Sequence, residues 1–527
     1  MARIAVVGAG PAGLYAAQAL LRARGGALAG LGMAVDVIDR LPTPFGLVRT
    51  GVAPDHANTK KAEGTLGTFA ASAVASGALR FFGNVRVGDW RRAEADSAAH
   101  VSLDALRDAY DAVVLAAGAE GDNKLHDVPG DNLPRVLPAR AAAWWYNGHP
   151  DAALDHHAML ARAVAGECGG DTAVVVGAGN VALDLGKLVP ASHPSYARAR
   201  RAPRAACERA ALTPPCTCTP TNAHPAKARL LLCPPELLHG TDCAPAALAA
   251  LKASTLRKVT LLVRRGPAAA AFTPKELREV LGMDGIRVSI DGAQTADTLL
   301  TDGDREAMVT SRPRRRVYDL LCKAAEAAGD SSAARELEMR FFTSPSAFVA
   351  GADRSDGGVA RVECQARGET GVTDAIDDVA LVLTSIGQRG VPMEGAPFDH
   401  ERGVVPNDGM GRVVAAPGST DAVPGLYVVG WLKRGANGIV GTNLVCAGNT
   451  VACIEDDIAR GTLVPKGSAT DPADVIRSAA EASSTRSVSW AGWEAIDAEE
   501  RRLGEADGRP RHKLTDVKHL LSAAAAS

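Results

Sequence analysis

Two small clusters carry the first chemical signal in this 527-residue chain. Gly8, Gly10 and Gly13 fit the spacing G-x-G-x-x-G, and Gly177, Gly179 and Ala182 fit G-x-G-x-x-A. In such a cluster the first glycine permits a tight turn. The second lets backbone approach a pyrophosphate, and the third position lets a helix pack on a strand. The free N–H groups at the helix start then face phosphate oxygens. The residues that end the next strands differ in charge. Asp39 closes a strand expected over 34–38, where a carboxylate can accept hydrogen bonds from ribose hydroxyls. Arg264 and Arg265 close a strand expected over 258–263. A guanidinium pair there can hold a 2′-phosphate bidentately, which a carboxylate would repel. Two units imply two nucleotides, the second NADP(H) and the first not.

These residues need elements to hold them. Residues 4–7 and 172–176 read as short buried parallel strands, and 14–21 as the first of the following helices. Pro190 ends the second helix. Further strands are expected over 79–87 (broken at Gly83 and Asn84), 110–119, 380–387 and 426–430. The prolines and glycines of 41–56 exclude a regular helix, so that stretch reads as an extended loop lining the ligand crevice. His56 lies in it beside Asp55. On residue type alone it reads as a solvated loop histidine, the alternative being a proton or hydrogen-bond relay. After the 426–430 strand comes a glycine-rich turn, where Trp431 either packs or stacks on a planar ring. Thr273, Pro274 and Glu276 fit a capping box opening a helix over 272–280. The Arg312–Arg316 cluster is either solvated surface or a dock for an acidic partner. Trp144, Trp145 and Tyr146 read as packing. Residues 190–232, rich in Pro, Ala, Arg and Cys, read as a loop-like or disordered insertion. The segment from about 465, with Trp490 and Trp493, reads as wrapping the surface.

Bulk properties bound the rest. A net charge of −2 recruits neither nucleic acid nor membrane globally. No run is apolar for long enough to span a bilayer. The chain starts on its first strand, so neither a secretory signal nor a transit peptide is expected, though the sequence could be a processed form. Ten cysteines contain no C-x-x-C pair, so neither a zinc site nor a redox dithiol is expected. The thiols read as free. The expected fold class is α/β: two Rossmann-like dinucleotide-binding domains, with parallel sheets flanked by helices. The expected division is 1–140 with 375–527, and 141–374.

Six stretches together resemble the adrenodoxin reductase family, the ferredoxin–NADP+ reductases of mitochondria and actinobacteria. They are PFGLVRTGVAPDH, GAGNVALD, RRGP…AFTPKELRE, RPRRR, GWLKRGANGIVGTN and SWAGWEAIDAEE. The resemblance covers nearly all the chain outside the insertion. It implies a glutathione-reductase-like arrangement with FAD in the first domain and NADP(H) in the second. The implied flavin contacts are Ala12, Asp39, Leu47, Val85, Trp431, Gly438, Ile439 and Val440, beside Gly8, Gly10 and Gly13. The implied NADP contacts are Ala178, Gly179, Asn180, Val181, Arg264, Arg265, Glu276 and Gly438. His56 and Asp184 match positions linked to catalysis near the flavin. Arg278, Arg312 and Arg316 match the basic surface that meets an acidic [2Fe–2S] ferredoxin. Asp39 stands where the family commonly has glutamate, Lys187 where it often has arginine, and Ala436-Asn437 replaces a Pro-containing pair.

The implied activity passes electrons from NADPH through flavin to the iron–sulfur protein, one at a time, because a [2Fe–2S] cluster accepts single electrons. An NADPH-dependent flavoprotein using a quinone, oxygen or a small organic acceptor is the alternative. A non-catalytic dinucleotide sensor is a second. The resemblance implies the mitochondrial matrix, or the cytoplasm for a bacterial chain. It leaves open a place peripheral to a membrane electron-transfer chain.

Overall fold

The computed structural model describes residues 2–22, 32–88, 98–153, 156–179, 231, 238–283, 285–327, 333–467 and 470–526. Two six-stranded sheets organise them. The first sheet runs in the order Arg412–Val414, Ala422–Val428, Ala112–Leu115, Ala2–Val7, Met33–Ile38, Leu79–Phe82. All neighbours are parallel except the first pair. The second runs Ile286–Ile290, Arg335–Phe341, Lys258–Val263, Thr172–Val176, Val379–Thr384, Val136–Pro138, and is parallel throughout.

Parallel strands must be covered on both faces, which is why their sequences are apolar without alternation. In Ala2–Val7, Ile4 and Val6 face one cluster with Leu14, Phe45, Trp490 and Trp493. Ala5 and Val7 face another with Leu106, Tyr110 and Ile476. The second sheet presents Ala173 and Val175 to a helical layer. Its other face presents Val174 and Val176 to a three-stranded antiparallel sheet, Thr343–Ala350, Val359–Ala366 and Asp374–Ile376.

Several expectations are corrected here. Val136–Pro138 and Val379–Thr384 both hydrogen-bond into the second sheet. The two crossings between sheets pair with each other, Gly121 with Arg389 and Asp122 with Gln388. The 79–87 strand breaks at Gly83 and Asn84 as expected, but its halves enter two different sheets, with Asn84 at φ 60° between them. The 41–56 loop contains a one-turn helix, Leu47–Thr50. Trp490 and Trp493 do not lie on the surface. Both are buried, edge-on to Phe45, at the start of the helix Trp490–Ala506. Apolar area explains this: an indole buried under the first sheet's helix layer stabilises by more than an exposed one.

A buried polar junction joins the units. Asp242 accepts from Lys60 at 2.6 Å and pairs with Lys513 at 2.8 Å, drawing the tail and the first unit onto the second.

Candidate functional site

The first turn is built by close contacts. Gly8 has φ +119°, and a Cβ on it would stand 2.4 Å from the Ala116 carbonyl oxygen. A Cβ on Gly13 would stand 1.9 Å from the Gly8 carbonyl oxygen, so the helix Pro11–Arg22 can pack there only without a side chain. A Cβ on Gly10 would meet no atom within 4 Å. Its backbone faces open space at a helix N-terminus, which fits a pyrophosphate.

Neighbouring segments converge on this turn. The Gly8 N–H donates to Ile38 O at 2.7 Å, tying the turn to the strand that ends at Asp39. The Asp39 carboxylate accepts from the Ala9 N–H at 2.7 Å and the Leu41 N–H at 2.9 Å. Burial pushes its pKa up to about 6 against the pull of those two donors. The shorter acidic arm is thus held at the turn. Each oxygen keeps a second lone pair, enough to accept ribose hydroxyls. The Phe45 N–H donates to Ala9 O, and a Cβ on Gly46 would lie 3.1 Å from Gly10 Cα, so the chain before Leu47 crosses the turn. On the other side Gly430 packs against Ala12, where a Cβ would lie 2.5 Å from the Ala12 Cβ.

Trp431 opens a one-turn helix after Gly430 and is partly buried. Its Nε1 donates to Asn437 O at 3.1 Å. The Arg434 guanidinium donates to the same carbonyl and to Asn443 Oδ1. These contacts shape the 435–441 loop. Gly438 takes φ +83°, the Ile439 N–H donates to Thr442 Oγ1, and Val440 is buried. Val85 is buried in the strand Val85–Val87. His56 is 7% exposed, precedes the helix Ala57–Ala75, and has Nε2 3.4 Å from Asp55 Oδ1. It is therefore not the solvated histidine that residue type alone suggested.

The second turn repeats the device. Gly177 has φ +128°, and a Cβ would stand 2.3 Å from Ser385 O. A Cβ on Gly179 would meet nothing within 4 Å. The Gly177 N–H donates to Leu262 O at 2.8 Å, beside the strand that ends at Arg264 and Arg265. Both arginines are exposed and make no ion pair among the described residues. They line an open cavity of about 550 Å³ with Gly266, Thr301 and Arg367. Ala178 O accepts from the Ala271 N–H, which brings the next helix, Pro274–Leu281, to the turn. Thr273 caps it through the Glu276 N–H at 3.4 Å, and Glu276 is 1% exposed. Arg278 is exposed on the same helix. Arg312 and Arg316 are exposed on the first turns of Arg312–Glu326, which packs against it. Asn180, Val181, Ala182, Asp184 and Lys187 lie outside the described residues, as does all of 190–232 except Leu231.

Sequence reasoning missed the contributions of Gly46, Arg434, Thr442 and the 365–369 turn. Gly46, Arg434 and Thr442 lie inside the quoted stretches but carry no residue-type signal of their own, and the 365–369 turn reaches the cavity only through tertiary contacts.

Two largely parallel sheets, each carrying a glycine turn at the carboxyl edge, define a two-dinucleotide fold. Residues 2–205 match the pyridine nucleotide-disulphide oxidoreductase family. The chain is 40% identical to the mitochondrial NADPH:adrenodoxin oxidoreductase of Arabidopsis thaliana, over 99% of this chain and 95% of that protein. It is 35% identical to the NADPH-ferredoxin reductase FprA of Mycobacterium tuberculosis, over 98% of each. The solved structure of that FprA in complex with NADPH superposes with a TM-score of 0.75, at 33% identity over 99% of both chains. The chain belongs to the NADPH:adrenodoxin oxidoreductase family. Among the described residues every cysteine is free, and no helix is long and apolar enough to cross a membrane.

Proposed function

We propose that this chain is an NADPH:ferredoxin oxidoreductase that holds FAD at the first turn and NADP(H) at the second. One observation carries the reading. Two turns of the same build are followed by opposite charges. An acid is held at one, and two guanidiniums without an ion-pair partner among the described residues stand at the other. Bound FAD supplies the exchange between a two-electron donor and one-electron acceptors. The chain's residues do the rest.

Gly10 and the N–H groups of the first helix start bind pyrophosphate, while Asp39 accepts ribose hydroxyls. Ala12, Leu47, Val85, Trp431 and Gly438 to Val440 form the walls that exclude water from the isoalloxazine. His56, paired with Asp55, holds a hydrogen bond near the ring, and Asp184 is assigned a catalytic role on the resemblance alone. Gly179, Asn180 and Val181 receive the second pyrophosphate, Arg264 and Arg265 the 2′-phosphate, and Glu276 is a further NADP contact. The second unit is the set of strands from Val136–Pro138 to Val379–Thr384, and the first is the remainder. Arg278, Arg312 and Arg316 form a basic face for an acidic [2Fe–2S] ferredoxin, steering it by long-range attraction on a chain of nearly balanced charge. The corresponding location is the mitochondrial matrix in a eukaryote or the cytoplasm in a bacterium.

The test is cytochrome c reduction by the purified holoprotein with and without an added [2Fe–2S] ferredoxin. Turnover should require ferredoxin and prefer NADPH to NADH. Arg312→Glu should slow it by roughly 5-fold at low salt and flatten its salt dependence, with direct NADPH-to-dye turnover intact. Ferredoxin-independent turnover would reject the acceptor.

A further inference from the structure

The cavity beside Arg264 and Arg265 is closed by a segment that belongs to neither dinucleotide turn. Residues 365–369 end the strand Val359–Ala366 of the antiparallel sheet and enter the turn after it, yet they line the same cavity as the guanidinium pair. Arg367 is among them. We propose that Arg367 is a third cation of the 2′-phosphate pocket and a determinant of the preference for NADPH over NADH. This rests on assigning the cavity to the 2′-phosphoadenosine, as above.

Phe342 ties that segment to the guanidinium pair. It takes φ +55°, a conformation that a bulky side chain adopts only where its surroundings hold it. Its backbone joins the two sides of the cavity: its N–H donates to Arg265 O, and its carbonyl accepts from the Arg367 N–H at 2.7 Å. Its ring does the same. A Cβ on Gly266 would stand 2.5 Å from the ring, so the chain leaving Arg265 lies against it. The Arg367 guanidinium carbon sits over that ring, 5.8 Å from its centroid. A guanidinium held by cation–π contact keeps its N–H fork free to donate. One aromatic residue thus fixes the spacing between Arg265 and Arg367.

Charge points the same way. Arg264, Arg265 and Arg367 all line one cavity, and none has an ion-pair partner among the described residues. The two carboxylates in the lining are those of Asp304 and Glu369. Asp304 is engaged as a helix cap, accepting from the Thr301 N–H and hydroxyl. Three guanidiniums against the two carboxylates of Asp304 and Glu369 leave the lining net positive, and a phosphate dianion there gains from that excess. A cavity of this size falls in the range that takes a nucleotide fragment.

The experiment is calorimetric titration of the holoprotein with 2′,5′-ADP and, separately, with 5′-AMP, backed by kcat/KM for NADPH and NADH. In Arg367→Ala, 2′,5′-ADP should bind about 10-fold more weakly while 5′-AMP is unchanged, because one charge-assisted hydrogen bond is removed. Arg367→Lys should recover part of the loss. Phe342→Leu should weaken 2′,5′-ADP without removing a charge. The flavin spectrum should stay as in wild type, since Arg367 is exposed. Unchanged 2′,5′-ADP binding in Arg367→Ala, with selective loss in Arg264→Ala plus Arg265→Ala, overturns the role of Arg367 and leaves the cavity assignment standing. Unchanged binding in both variants overturns the cavity assignment as well.

Discussion

The two glycine turns share a backbone and part company at one strand end. Gly8 and Gly177 have φ of +119° and +128°, and each is pressed against a carbonyl oxygen of an adjacent loop. Each donates its N–H to a carbonyl at the end of the neighbouring strand, that of Ile38 or Leu262. Beyond those residues the chemistry diverges. The Asp39 carboxylate folds back onto its own turn and is satisfied by two backbone donors. Arg264 and Arg265 line a cavity, without ion-pair partners among the described residues. In the proposed reading the turn geometry makes a pyrophosphate site in both cases, and the following side chain decides which adenosine it accepts. The same fold can therefore hold two related ligands in one chain without confusing them.

The hardest test of that shared backbone is to fill its glycines. Gly13→Ala places a Cβ 1.9 Å from a backbone oxygen, a contact no rotamer relieves. The helix must move off the strand, at a cost of about 3 kcal/mol or more. Thermal unfolding should show a lower Tm and the purified protein should lack flavin. Gly10→Ala meets nothing within 4 Å, so the apoprotein should unfold as wild type does while flavin binding is lost. If Gly10→Ala also destabilises the apoprotein, the second glycine has a packing role and the division of labour fails. In the second unit this position pair is Gly179 and Ala182, and the third position already carries a methyl group.

Next in size is the charge contrast itself. Arg264→Ala plus Arg265→Ala removes two charge-assisted hydrogen-bond donors to the phosphate. It should raise KM for NADPH roughly 100-fold and change that for NADH by less than about 3-fold. Steady-state kinetics with both nucleotides read the ratio directly. Equal losses would mean the pair supports the fold rather than the phosphate.

Both turns were legible in the sequence because their chemistry is local. A glycine that needs a positive φ, a strand end and a charge all fall within one short stretch. The fold class followed from the same stretches. The sheet membership of Val136–Pro138 was not legible, because a three-residue strand at a sheet edge carries too little apolar pattern to announce its partner. Trp490 and Trp493 looked like surface because their neighbours are charged. Their burial depends on Phe45, more than 400 residues away in the chain, which no local period encodes. His56 is the instructive middle case. Its loop position was readable, but its burial beside Asp55 was not, since loop residues are usually solvated. Arg367 had no signal at all: it sits in a polar turn and reaches the cavity only through the antiparallel sheet.

The smallest effect probes the acid that distinguishes the first turn. Asp39 has a pKa of about 6 when folded against 3.8 for the ordinary carboxyl, because burial disfavours its charge. Between those values the folded state holds more proton than the unfolded one, so this group's contribution to stability falls as pH rises from about 4 to 6. Above that window the cost of the buried charge is constant. Asp39→Asn removes the titration and keeps an oxygen for one of the two backbone donors. Denaturant unfolding of the two apoproteins should therefore diverge, wild type losing about 1–3 kcal/mol relative to the variant between pH 4 and 7. Saturating flavin should shrink that difference, because ribose hydroxyls donating to the carboxylate favour its ionised form. The same series on Arg264→Gln plus Arg265→Gln should track wild type at every pH. Parallel profiles for wild type and Asp39→Asn would mean that the acid is as well solvated as any surface carboxylate, and that the two adenosine pockets differ in charge but not in burial.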